Sequence, residues 1–198
     1  MLHSWHILPD PPLSRRGADS EALIRVGCTT YQAAARYLHA LPYGRNSDRA
    51  NYTLVVPESR GTCSTKHALL AAVAAEQAIP MSLTVGIYDM TEANTPGVGA
   101  VLTAHGLRSI PEAHCYLTYR GDRVDISRAG VAPAAAITHF AQEWSIEPAQ
   151  IGAHKLHLHR TYLERWRSAQ RELRLTGDEL WRIREACIAA LCGSGDGG

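Results

Sequence analysis

One stretch constrains this chain more than any other. Cys63-Ser64-Thr65-Lys66-His67-Ala68-Leu69-Leu70-Ala71-Ala72-Val73-Ala74-Ala75-Glu76-Gln77 is dominated by alanine and leucine, the strongest helix formers. Its apolar content predicts a buried helix, and Pro80 ends it. Pro57-Glu58-Ser59-Arg60-Gly61-Thr62 ahead of it reads as a loop, so Cys63 stands where a loop becomes a helix.

Strands are expected after this helix. Met81 to Tyr88 alternates apolar with polar or small residues, as a half-buried strand does. Thr91 to Gly99 is loop, with Asn94-Thr95-Pro96-Gly97 as a turn. Beyond Pro111, Ala113 to Tyr119 and Arg123 to Ser127 predict a hairpin joined through Arg120-Gly121-Asp122.

The flanks are helical in character. Pro9, Pro11 and Pro12 make the opening segment an irregular arm. A short helix is expected from Asp19 to Val26, and a second through Tyr31 to Leu38, capped by Thr29 or Thr30 and ended by Pro42 and Gly44. Arg45 to Asn51 reads as loop and Tyr52 to Val56 as a brief extended segment. Helices are expected over Ala134 to Glu143, Lys155 to Arg174, and Asp178 to Leu191 with a Thr176 cap, before a flexible Gly193 to Gly198 tail. The sum is an α+β fold with residues 1–192 in one domain: a core over about 51–127 and C-terminal helices over about 134–192.

Composition narrows the function classes. Of the 198 residues 45% are hydrophobic and 20% charged, ample for a core. The formal charge of +1 gives no general attraction to nucleic acid or to an anionic membrane. No apolar run reaches the ~18 residues of a membrane span, and Met1 to His6 lacks the basic and apolar regions of a signal peptide, so a cytoplasmic protein is expected. Cys28, Cys63, Cys115, Cys187 and Cys192 form an odd set without a CxxC pair, which argues against a disulfide framework and a ribbon-type zinc site. Most are expected as small core thiols.

Cys63 is the exception. Unpaired amides and the dipole at a helix N-terminus favour a thiolate, the form that attacks a carbonyl, and the same amides can serve an oxyanion. Such a nucleophile needs a base, and the base needs an orienting partner. His114 and Asp125 stand on the two predicted hairpin strands. They share a sheet face when opposed residues have an odd sum. A turn centred on Arg120-Gly121 makes them diagonal neighbours, and one on Gly121-Asp122 leaves them farther apart.

This order, a Gly-x-Cys helix start, a strand-borne His and an Asp on the following strand, resembles the transglutaminase-like superfamily over roughly Asn51 to Ser127. Cys and His lie 51 residues apart and His and Asp 11. The resemblance implies a papain-like core, in which a nucleophile helix packs on an antiparallel sheet, here with additional N- and C-terminal helices. It assigns Cys63 as nucleophile, His114 as general base and acid, and Asp125 as the residue that orients the imidazole. A departure is Cys115-Tyr116 after the His, where many relatives place Trp or another aromatic. The implied activity is hydrolysis or acyl transfer on a peptide or small-molecule amide or ester, through a thioester and without metal or other cofactor. The alternative is an inactive binding or scaffolding module that keeps this core.

Other polar residues have plainer readings. His67, one turn beyond Cys63, reads as a surface or hydrogen-bonded core histidine that can also tune the thiol. Glu112 reads as a loop carboxylate beside the cleft. His154 and His157 can share a helix face while His159 points elsewhere, and no acidic or thiolate ligand accompanies them at ligand spacing; a solvated helix with ion pairs is the expectation. Tyr162, Trp166, Leu173 and Trp181, Ile183, Cys187, Ile188, Leu191 form core-facing stripes that can cover the core or form a dimer face.

Overall fold

The computed structural model describes residues 2–3, 5–127, 137 and 139–193. Among these, six helices and a five-stranded sheet form an α+β fold: α1 (Ala18–Arg25), α2 (Tyr31–Ala40), α3 (Cys63–Glu76), α4 (Gly99–Ala104), α5 (Ala153–Ala169) and α6 (Gly177–Gly193), with β1 (Leu2–His3), β2 (Ser82–Met90), β3 (Ile110–Tyr119), β4 (Asp122–Val124) and β5 (Gln142–Ile146). The order across the sheet is β1-β4-β3-β2-β5, antiparallel except where β1 pairs in parallel with β4.

The α3 sequence dictates its position. Every residue from Cys63 to Ala74 is buried, including Lys66 and His67. On the face of the sheet that meets α3, Leu83, Val85 and Ile87 of β2 join Ala113, Cys115 and Leu117 of β3, and α1 and α2 add Leu23, Tyr31 and Leu38 to the same core. The alternate residues Tyr88, Met90, Ile110 and Tyr116 pack instead with Leu102 of α4, Leu163 of α5 and Leu180, Ile183 and Cys187 of α6. Period-two alternation thus supplies two apolar faces from the same strands. Tyr31 Oη donates to the Leu70 carbonyl (3.0 Å) and joins α2 to α3. The carboxylate of Glu76, at the far end of α3, accepts the Asp19 (3.1 Å) and Ser20 (2.7 Å) amides and so serves the otherwise uncapped start of α1.

Several local expectations are corrected. Tyr52–Val55 is a 3₁₀ turn, not an extended segment, because the Asn51 side chain accepts the Thr53 amide and starts a helical turn. Gln142 and Glu143 begin β5 and do not end a helix; Trp144 and Ile146 suit a strand, and pairing Gln142–Ile146 with Ile87–Leu83 satisfies the outer edge of β2. The earlier part of that expected helix, residues 134–136, lies outside the described residues. Gly99–Ala104 is helical just where loop was expected to end, and α5 stops at Ala169, short of Arg174. Thr30 is the cap of α2, and Thr176 and Glu179 exchange hydrogen bonds at the start of α6. The arm also carries a short strand, β1, and a 3₁₀ turn at Trp5–Ile7. No helix among the described residues is long and apolar enough to cross a membrane.

The hairpin fixes the geometry around His114. Its register pairs Leu117 with Val124 and Tyr119 with Asp122, so the turn is Arg120-Gly121, with both residues at positive φ (51° and 88°). Glycine takes the second position without steric cost. β4 ends at Val124, earlier than the expected Ser127, and Ile110 to Tyr116 of β3 has no partner on that side within the ladder. Asp125 leaves the ladder opposite this bare stretch.

Candidate active site

Cys63 is the first residue of α3, and the preceding loop is held against that helix start. The Thr62 amide donates to Thr65 Oγ1 (3.0 Å), and Thr65 Oγ1 donates to Asn46 Oδ1 (2.9 Å). Asn46 Nδ2 in turn donates to the Arg60 carbonyl (3.0 Å) and to Glu58 (3.1 Å). The loop Arg45 to Asn51 is therefore tied to the start of α3. A Cβ at position 61 would lie 2.9 Å from both Lys66 Cγ and Thr65 Oγ1, so only glycine permits this close approach.

His114 lies within 2.7 Å of Asp125, with Nε2 bonded to Oδ2. Asp125 thus engages Nε2 and not Nδ1, and the His114 ring and the Cys63 thiol perturb each other's ionisation. Asp125 is held in turn: the Ser127 amide (2.8 Å) and hydroxyl both donate to Oδ1. Tyr88 and Tyr116 flank the His114 ring at centroid distances of 6.1 and 6.2 Å. Of the three residues singled out from sequence, His114 and Asp125 are hydrogen-bonded, and Cys63 interacts electrostatically with His114.

His67 joins α3 to the Asp125 segment. It is fully buried, with Nδ1 donating to the Cys63 carbonyl (2.7 Å) and Nε2 accepting the Ile126 amide (2.8 Å). Both nitrogens are committed, which requires the neutral ring; burial, only partly offset by Asp125, lowers its pKa to about 4. Lys66 is equally buried and donates to the carbonyls of Leu41 (2.6 Å) and Ser127 (2.9 Å), and burial lowers its pKa to about 8. Side chains of α3 therefore anchor the two residues that follow Asp125.

Electrostatics favour an ion pair at Cys63. Burial alone would raise the Cys63 thiol, but the Lys155 ammonium and then His114 overcome it and bring the pKa to about 6. Burial would likewise lower His114, but Asp125 and the Cys63 thiolate raise it well above its ordinary value. Asp125 falls below the usual carboxylate range: burial opposes this, and His114 and His67 prevail. Near neutral pH the site therefore holds thiolate, imidazolium and carboxylate together.

No family model, curated protein or solved structure matches this chain. Its chemistry has to be read from its own residues.

A cavity of about 360 Å³ opens at Cys63, lined also by Ser64, Glu112, Lys155, His159 and Arg184. Sequence reasoning passed over two of these. Lys155, on α5, is buried and donates to Ser64 Oγ (2.6 Å), beside Cys63. Arg184, on α6, forms a buried two-point ion pair with Glu112. Glu112 is accordingly a strand residue, not a loop carboxylate; burial opposes its ionisation, yet Arg184 brings its pKa to about 2. The available signal was spacing: Lys155, His159 and Leu163 recur every four residues and form the buried stripe of α5. His154 and His157 are exposed, while His159 is buried and bonded to the Pro111 carbonyl (2.8 Å), so the histidine run is divided between two faces. No metal-ligating cluster occurs among the described residues.

Proposed function

We propose that this chain is a cysteine-nucleophile hydrolase or acyltransferase with a transglutaminase-like, papain-like core, acting on an amide or ester of a peptide or small molecule. The observation that carries this reading is the hydrogen bond from His114 to Asp125 (2.7 Å) together with Cys63 at the start of α3, where thiolate and imidazolium stabilise each other and Cys63 lines the cavity. The Cys63 thiolate attacks the carbonyl carbon and forms a C–S bond, and the charge passes to the carbonyl oxygen. Amide donors at the start of α3 stabilise that oxyanion. Collapse breaks the bond to the leaving group, which takes the His114 proton. The neutral imidazole then activates water or an acceptor amine to release the acyl group. Asp125 holds the ring with Nδ1 toward sulfur throughout. All five cysteines are free, which suits the reducing cytoplasm in this reading.

The test is the pH dependence of Cys63 alkylation by iodoacetamide, followed by peptide mass spectrometry in wild type and His114→Ala. Fast labelling near neutral pH that is lost in the variant is expected, followed by turnover in an amide and ester panel. Labelling no faster than that of Cys28 and indifferent to His114 would reject an activated nucleophile and leave a binding or scaffolding module.

A further inference from the structure

We infer that the cavity selects an acyl donor bearing a carboxylate close to its scissile carbonyl, and that Lys155 is the residue that anchors this carboxylate. The inference rests on the reading of Cys63 as an acyl-accepting nucleophile. It starts from the charges around the cavity. Arg184 is paired with Glu112 and Glu185, and Arg45 and Arg49 lie 2.8 and 3.6 Å from the same Glu185. Asp48 also lines the cavity. Glu112 and Glu185 thus pair with the three guanidinium groups, Asp48 adds a third carboxylate at the cavity, and the Lys155 ammonium is the surplus. Its Nζ is bonded to the Ser64 hydroxyl, and among the described residues no carboxylate lies within ion-pair distance of it.

The reaction makes this surplus consequential. In the resting site two anions act on Lys155, the Cys63 thiolate and Glu112, and Glu112 is already held by Arg184. Once the thioester forms, sulfur is neutral and His114 has given up its proton. The ammonium would then stay buried and charged with only Glu112, beyond ion-pair distance and already paired with Arg184, to balance it, a costly state. A carboxylate on the acyl group restores the balance with a single negative charge, which favours a carboxylate over a doubly charged phosphate. It also places the acyl-enzyme's charge beside a fixed donor, which positions the carbonyl for attack.

The experiment compares iodoacetate with iodoacetamide at Cys63. Both reagents form the same C–S bond and expel iodide, so the ratio of their rate constants cancels the thiolate fraction and reads only the environment's preference for an anion. Wild type is expected to give a ratio clearly above that of glutathione in the same buffer. Lys155→Met should lower the ratio by about tenfold through loss of one unit charge near the sulfur, and Lys155→Arg should retain most of it. Arg49→Gln, at an exposed position, is expected to lower it less and to fold regardless. Fast, His114-dependent labelling with a wild-type ratio equal to that of glutathione, or a ratio unchanged in a folded Lys155→Met protein, would overturn the carboxylate preference alone. Slow labelling by both reagents, indifferent to His114, would overturn the nucleophile reading and this inference with it.

Discussion

Two buried neutral histidines make the stability of this protein fall on mild acidification. His67 already uses Nδ1 as donor to Cys63 and Nε2 as acceptor from the Ile126 amide, so a second proton would set one N–H against another. His159 donates from Nε2 to the Pro111 carbonyl while packed edge-on against Trp181. Burial brings both from 6.5 to about 4. Because these folded values lie below the unfolded ones, the unfolded chain binds more protons between them, and stability drops as pH falls from about 6.5 toward 4. At pH 5 each histidine costs about 2 kcal/mol, or about 4 kcal/mol together, a large part of a typical domain's stability. The Cys63–His114 pair contributes little here, since its thiolate takes up a proton near pH 6, close to where an unfolded histidine takes up its own. The assay is urea unfolding followed by tryptophan fluorescence at constant ionic strength and pH 7.5, 6 and 5. Wild type should lose about 4 kcal/mol across the series and His67→Gln about half of that. A flat profile, or an unchanged slope in His67→Gln, would refute the assignment of these rings as neutral and proton-resistant.

Three further substitutions probe the site. Asp125→Asn should keep the fold by circular dichroism while moving the pH midpoint of Cys63 alkylation upward by about one unit or more, because His114 loses the charge that keeps it protonated. Arg184→Met leaves Glu112 buried without its partner and should cost about 3–5 kcal/mol in urea unfolding; combining it with Glu112→Gln should recover much of the loss. Gly61→Ala should cost about 1–3 kcal/mol, since the new methyl group presses on Thr65 and Lys66, and Cys63 alkylation should slow with it as the helix start shifts.

Local signals made the central part of this fold legible. The alanine-rich run names α3, alternation names β2, and the Gly121 turn brings His114 and Asp125 to one face. What escaped was decided by partners distant in sequence. Gln142 to Ile146 carries too weak a local preference to declare itself, and becomes a strand because the β2 edge needs hydrogen bonds. The 3₁₀ turn at Tyr52 follows from one Asn51 side chain, which outweighs the β-preference of Tyr52, Val55 and Val56. Lys155 stands in a helix with several exposed basic residues, and only its four-residue spacing with His159 and Leu163 sets it apart from Arg160 or Arg167. Nothing local marks Arg184; its buried partner Glu112 does.

The placement of those two cations bears on what α5 and α6 are for. Helices that merely covered a sheet would do so at lower cost in free energy with leucine or methionine at the buried positions, because desolvating a charge often exceeds what its pairing returns. At the cavity these helices present an ammonium, a guanidinium and a neutral imidazole, and the ammonium meets the hydroxyl of the residue next to Cys63. The N-terminal part of the chain supplies Cys63 and the loop tied to it, the hairpin supplies His114 and Asp125, and under the proposed function the C-terminal helices supply the charge that would face an incoming acyl group. In this reading α5 and α6 belong to the site itself: nucleophilicity arises between α3 and the hairpin, and selectivity arises where α5 and α6 close over them.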